Sequence, residues 1–175
     1  MPSTTRHEDI GKITEEGDFE ELTPIEFTRF MSDMFMQLHQ NVATKLTWES
    51  DSVVDFVLYS RDDTVAVQVK KYDEKRKVGK QEINQLLDSM WRYEANKAIF
   101  ITTSDFTPLA YKLSKRQPVA LWRARGTTEE KAVTEVTDAL EALSDAMEAR
   151  IAQARRILKE LLNSIQDWNP TGFRR

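Results

Sequence analysis

The chain contains no cysteine and only two histidines, His7 and His39. The first absence excludes disulfides, cysteine nucleophiles and thiolate zinc centres. The second leaves Ser-His-Asp catalysis, histidine-based nuclease chemistry and histidine-rich metal centres with almost no residues to work with. His7 sits in the amino-terminal tail, and His39, near the end of a predicted helix, reads as a terminal-turn residue facing the helix dipole. No uninterrupted apolar run approaches the length of a membrane span, and the amino terminus carries no signal-peptide apolar core. The expectation is a soluble cytoplasmic protein with no membrane partner. Glycine and proline are sparse, five of each, and neither occurs from Thr127 to Asn169.

What is present bounds the architecture. A chain of 175 residues with 40% hydrophobic content can bury one sizeable core, which suggests one domain and an appendage. The net charge of −4 is unevenly spread. From Glu8 to Glu21 seven acidic residues stand against one lysine, which predicts a solvated, flexible lead segment over residues 1–21. Positive charge gathers in two places. Lys70, Lys71, Lys75, Arg76, Lys77 and Lys80 lie close together, opposed only by Asp73 and Glu74. Lys112, Lys115, Arg116, Arg123 and Arg125 form a second group with no acid among them. Such clusters suit a phosphate backbone, which they would grip without reading sequence, and equally suit solvated surface loops.

Periodicity supplies the elements. Pro24 to Asn41 carries Ile25, Phe27, Phe30, Met31, Met34, Phe35 and Leu38 at helical spacing, which predicts a core-facing amphipathic helix. Thr23-Pro24-Ile25-Glu26 reads as its capping box, with proline at the first helical position. Val42 to Glu49 alternates and reads as a strand. Val53 to Tyr59 and Thr64 to Lys70 follow as a hairpin around a four-residue loop, then a helix from Lys80 to Tyr93 and a buried strand from Lys97 to Thr102. Thr107 and Pro108 start a short helix, and Val119 to Trp122 is a final strand.

The hairpin carries the chemistry. Side chains alternate faces along a strand, so Gln68 and Lys70 share one face while Val65, Val67 and Val69 take the other. If Tyr59 pairs with Thr64, Asp55 falls opposite Gln68 on the same face. A carboxylate, an amide carbonyl and an ammonium gathered there are costly to bury unless a cation and a substrate phosphate compensate them. Mg²⁺ (or Mn²⁺) prefers oxygen ligands, which Asp55, the Gln68 side chain and the Val69 backbone carbonyl can offer. Lys70 would then serve the attacking water and offset developing charge. A solvent-facing polar hairpin is the other reading of the same residues.

The stretch from Leu22 to Trp122 resembles the Mrr-type branch of the PD-(D/E)XK nucleases, in which glutamine often replaces the last carboxylate of the motif. The matching pieces are Phe27 on the leading helix, the Asp51 to Asp55 segment, Gln68-Val69-Lys70, Val78-Gly79 before Glu82-Ile83, and the run from Ala95 to Phe106. The resemblance implies an α/β restriction-endonuclease-like core of helix, three mixed strands, helix and strand, spanning residues 22–125. It also implies metal-dependent cleavage of DNA, with Asp55, Gln68 and Lys70 catalytic and Lys71, Lys75, Arg76, Lys77 and Lys80 holding nucleic acid. Family members commonly place a metal-holding glutamate just after the phenylalanine. Here Thr28 stands there, and Glu26 is the nearest carboxylate, open to capping or to metal.

Beyond Gly126 the character changes. Val133, Val136, Leu140, Leu143, Met147, Ile151, Ala154, Leu158, Leu161 and Ile165 step at three and four, with a stutter between Leu143 and Ile151. Thr127 to Glu130 makes another capping box. One long helix over residues 126–169 is expected, with a narrow seam suited to a coiled coil and a homo-oligomer. Folding back as a hairpin or docking on a partner protein are the alternatives. Residues 170–175 form a short tail. Three functions follow: a metal-dependent DNA endonuclease of restriction, defence or repair type, a catalytically weakened DNA-binding relative, or an oligomeric scaffold.

Overall fold

The computed structural model describes residues 19, 22–38, 43–46, 52–60, 62–124 and 129–166. His7, His39, Arg125, the Thr127 capping residue and the tail from 170 to 175 lie outside the described residues, as does most of the acidic lead segment. The element order is α1 (Pro24–Leu38), β1 (Ala43–Leu46), β2 (Phe56–Tyr59), β3 (Thr64–Lys70), α2 (Lys80–Ser89), β4 (Lys97–Thr102), α3 (Pro108–Ser114), β5 (Val119–Arg123) and α4 (Glu129–Gln166). Several boundaries differ from the sequence reading, and β5 runs on to Arg123. Residues 53–55 precede β2 rather than belong to it, and the helix expected to reach Tyr93 tightens into a 3₁₀ turn from Met90. That turn ends on Glu94 in the left-handed region, φ 53°.

The described strands form one five-stranded sheet in the order β1-β2-β3-β4-β5. The first three run antiparallel to their neighbours, and β3, β4 and β5 run parallel. The four-residue loop sets the hairpin register: Ser60 N–H donates to the Asp63 carbonyl at 2.8 Å, and Tyr59 faces Thr64. β3 is therefore central, and Val65 to Val69 are all buried, as a strand covered on both faces must be.

The alternation of β3 divides the core in two. On one face α1 sets Phe27, Phe30, Met31, Met34 and Phe35 against Phe56, Leu58, Val65, Val67, Val69, Ile99 and Ile101. Phe19, from the lead segment, packs edge-on against Phe27 and Phe30. On the other face Ile83, Leu86 and Met90 cover Val57, Ala66, Ala98, Phe100 and Val119, joined by Phe106 and Ala110. A fully buried phenylalanine contributes roughly 2–3 kcal/mol by area removed from water, so Phe27 and Phe100 are principal anchors of the two layers.

Caps fix the helix starts. At α1 the Glu26 amide donates to Thr23 Oγ1 (3.3 Å) while the Thr23 amide donates to Glu26 Oε2 (2.8 Å), a reciprocal capping box. At α3 Thr107 Oγ1 accepts from the Ala110 amide, and Pro108 occupies the first turn. Within the first compact unit, residues 1–140, the Trp122 indole donates to Glu135 at 3.1 Å. The second unit, residues 141–175, contains the remainder of α4. Residues 151–163 are exposed, and Ile151, Leu158, Leu161 and Leu162 are each at least half accessible. Among the described residues no helix is long and apolar enough to cross a membrane.

Candidate active site at the carboxyl edge of the sheet

Asp55 sits one residue before β2, where the regular ladder has ended. Its amide donates to the Val67 carbonyl at 2.8 Å, one residue short of the Gln68 that the register from Phe56↔Val67 would set opposite it. Because the strand has not yet begun, no β2 carbonyl faces the Val69 amide. Asp55 Oδ2 takes that place and accepts the Val69 N–H at 2.7 Å. The carboxylate is thereby fixed by a backbone that is itself central to the sheet. Burial pushes the Asp55 carboxyl above its ordinary value, against the opposing pull of the Val69 N–H and the Lys70 charge.

Gln68 is 4% exposed, and its Oε1 is buried without a hydrogen-bond partner among the described residues. A buried orphan carbonyl costs about 1–3 kcal/mol, so a fold that retains one leaves it for something else to satisfy. Lys70 ends β3 half-buried, in register with Thr102 of β4, which is in register with Arg123 of β5. On β3, Gln68 and Lys70 lie on the face opposite Val67 and Val69 toward its carboxyl end, and the Lys70 charge acts on the Asp55 carboxyl.

Glu26 is engaged at the start of α1. Its carboxylate also accepts the Thr23 hydroxyl at 2.8 Å, and it starts the helix that covers the Val67 and Val69 face. Thr28 turns its hydroxyl back to the Pro24 carbonyl at 3.0 Å. No group of three or more histidine, aspartate or glutamate side chains that could hold a metal occurs among the described residues. A cation here would draw on amide and backbone oxygen as well as on carboxylate.

The basic loop after β3 is clamped to the segment after β4. Thr103 Oγ1 donates to the Tyr72 carbonyl and accepts its amide, both at 2.9 Å. Ser104 Oγ donates to the Arg76 carbonyl at 2.6 Å, and the Val78 amide donates to the Asp105 carbonyl at 2.8 Å. The Arg76 guanidinium lies 3.9 Å over the Tyr72 ring, whose hydroxyl donates to Glu82 Oε1 at 2.8 Å. Glu82 also accepts the Gly79 amide at 3.0 Å and so caps α2. These ties hold Lys75, Arg76, Lys77 and Lys80 exposed beside the Lys70 edge, while Lys71 is half-buried.

The second basic group does not stay together. Lys115 and Arg116 precede β5, at the amino edge of the sheet, whereas Arg123 ends β5 at the carboxyl edge with Lys70. Sequence reasoning missed this division, and it missed Asp105, which accepts the Phe106 amide (2.8 Å) and the Tyr111 hydroxyl (3.1 Å) and lies 4.0 Å from Arg123. The parallel order of β3, β4 and β5 is the signal that would have aligned their last residues.

The Mrr_cat restriction endonuclease family model matches residues 19–129. Among solved structures, the DNA modification-dependent restriction endonuclease AspBHI is similar over 74% of this chain, with TM-score 0.48 and 18% identity. MspJI restriction endonuclease in complex with a 27-mer oligonucleotide is similar over 85%, with TM-score 0.47 and 16% identity. The chain spans only 38% and 39% of those two proteins. A protein of unknown function, AF1548, is matched over 99% of its own length and 76% of this chain, with TM-score 0.47 and 14% identity. No curated protein matches. With well over half of the chain matched, Asp55, Gln68 and Lys70 included, the chain belongs to the Mrr-type restriction endonuclease family and carries its nuclease domain.

Proposed function

We propose that the chain is a metal-dependent DNA endonuclease that hydrolyses phosphodiester bonds in restriction, defence or repair, with Asp55, Gln68 and Lys70 as its catalytic residues. The observation that carries this reading is the buried Gln68 Oε1 without a donor among the described residues, together with the Asp55 carboxylate, whose charge burial disfavours. An oxygen-seeking cation satisfies both at once, and Mg²⁺ or Mn²⁺ suits such ligands. The N–H and C=O of one strand residue face the same neighbouring strand. The Val69 carbonyl therefore leaves β3 on the Asp55 side and can complete the ligand set. When bound, the metal supplies Lewis-acid stabilisation and an activated water. Asp55 holds its place through Val69, and Lys70 orients the attacking water and offsets charge that develops on the phosphate. Lys71, Lys75, Arg76, Lys77 and Lys80 rim the edge where the DNA backbone would lie.

The test is nicking of supercoiled plasmid by the purified chain in Mg²⁺ or Mn²⁺ against chelator. Metal-dependent nicking that disappears in Asp55→Asn supports the proposal, and its absence in the parent chain refutes it. A second reading, a catalytically weakened DNA-binding relative, is favoured by one observation: the carboxylate nearest the missing helix ligand is engaged in the α1 cap. Salt-sensitive DNA binding without cleavage would mark it. The exposed apolar side chains of α4, Ile151, Leu158, Leu161 and Leu162, support self-association through that helix. Light scattering on the chain with and without residues 141–175 tests this, and a monomer mass for the full chain refutes it.

A further inference from the structure

We propose that Arg123 is a second phosphate-binding residue, gripping a backbone phosphate next to the one at Lys70, and that Asp105 holds it in readiness while the site is empty of nucleic acid. The inference rests on the nuclease reading for its substrate.

Three adjacent parallel strands end in one row, Lys70, Thr102 and Arg123, and residues in register present side chains to the same face. With strands about 4.8 Å apart, the two cationic residues are rooted about 10 Å from each other, a separation their long side chains can close onto neighbouring phosphates. Between them stands Thr102, a short and fully buried side chain.

The Arg123 side chain is 55% exposed, and a single guanidinium nitrogen reaches Asp105 Oδ2, at 4.0 Å. An exposed contact of that length is worth at most about 1 kcal/mol, whereas a phosphate takes arginine through two parallel hydrogen bonds. Asp105 does not depend on Arg123 for its place. Its Oδ1 accepts the Phe106 amide and the Tyr111 hydroxyl, and its backbone carbonyl accepts the Val78 amide. The carboxyl is held below its ordinary value by the Phe106 N–H first, against some burial, with Tyr111, Arg123 and Lys77 adding to the effect. One fixed anion therefore stands among Arg123 and the Lys77 of the basic loop. It gathers two cations at the edge and, being fixed, must surrender Arg123 to an arriving phosphate.

Binding of a fluorescent DNA duplex is measured across a salt series in chelator, where cleavage does not intervene. Arg123→Ala is expected to bind roughly tenfold more weakly, and the slope of log affinity against log salt should fall by about 0.9, the value for one lost phosphate contact. Asp105→Asn should tighten binding, because it removes the competing charge while keeping an oxygen for the Phe106 amide. Arg116→Ala, at the opposite edge, should leave both quantities unchanged. Parent affinity and slope in Arg123→Ala would overturn the inference. So would an Asp105→Asn variant as weak as Arg123→Ala, which would mark the pair as structural. Lack of nicking by the parent chain refutes the nuclease reading alone, since the binding series still decides the role of Arg123.

Discussion

The two ends of the β3–β4 pair handle buried polar groups in opposite ways. At the amino end Lys97 is nearly inaccessible, and its ammonium meets Asp63 Oδ2 at 2.7 Å. Asn96 donates to the other Asp63 oxygen at 3.0 Å and accepts the Thr64 amide at 2.9 Å. The hairpin loop is thereby tied to the start of β4. At the carboxyl end Gln68 Oε1 has no partner among the described residues, Asp55 is pushed toward its neutral form, and Arg123 makes only a loose contact. The first arrangement closes on itself, and the second leaves an oxygen open among the described residues. A polar network that stabilises a fold closes on itself, while a site for catalysis keeps groups available at a cost to stability.

Variants can break this contrast, and the largest effect falls at the carboxyl edge. Lys70→Ala should lower the rate of metal-dependent nicking by about 10²–10³-fold, the range for removing one group that stabilises transition-state charge. Its melting temperature should stay near that of the parent, since Lys70 is only half-buried. A parent-like rate would end the assignment of Lys70. Next comes Asp63→Ala, which leaves the Lys97 ammonium buried without this partner. It should cost about 3 kcal/mol in urea unfolding, the low end for such pairs because Asp63 is itself about a third exposed. Nicking measured well below the unfolding midpoint should be unaffected.

Gln68→Met should act in the reverse sense. Replacing the orphan carbonyl by a thioether of similar size should raise stability by about 1 kcal/mol in chelator and abolish nicking. Loss of both stability and activity would show that Gln68 is a structural residue.

The smallest effect is one of pH, and its sign differs between the two edges. Burial opposes the charge of Asp63, but hydrogen bonds from Lys97 and Asn96 and the Lys97 charge outweigh it, so its carboxyl is lowered. A lowered native value means stability that is present above the unfolded-chain value, about 3.9, and is lost as pH falls through the native one. Asp55 is raised, so the folded state holds its proton more tightly than the unfolded chain does. In chelator its contribution is most favourable below about 3.9 and declines as pH rises through the native value. Asp63→Asn should therefore flatten the acid limb of the stability curve, and Asp55→Asn should raise stability near neutrality. A neutral-pH loss of stability in Asp55→Asn would show that its bond to Val69 outweighs its burial.

Much of this was legible before the fold was known, for reasons particular to each residue. The period of two through Val65, Val67 and Val69 fixes which face Gln68 and Lys70 share, and the polar loop from Ser60 to Asp63 sets Tyr59 against Thr64. Thr23 with Glu26, and Thr107 with Pro108, announce their helices because capping is a matter between residues a single turn apart. The expectation that β2 starts at Val53 failed because β propensity continues through Val53 and Val54, whereas the chain there must turn to bring the Asp55 side chain to the Val69 amide.

The basic group from Lys112 to Arg125 marks the limit of such reading. In sequence it is one cluster, and in space β5 carries Arg123 to the edge of Lys70 and leaves Lys115 and Arg116 at the other. Likewise Asp63 and Lys97 are 34 residues apart and meet only because β3 and β4 are parallel neighbours. Residues a few positions apart were enough to fix most elements and the faces of β3, because hydrophobic periodicity and turn chemistry act over short spans. Which distant charges share an edge was decided by the tertiary structure alone, because the crossovers between parallel strands, rather than any local pattern, set where each strand begins and ends.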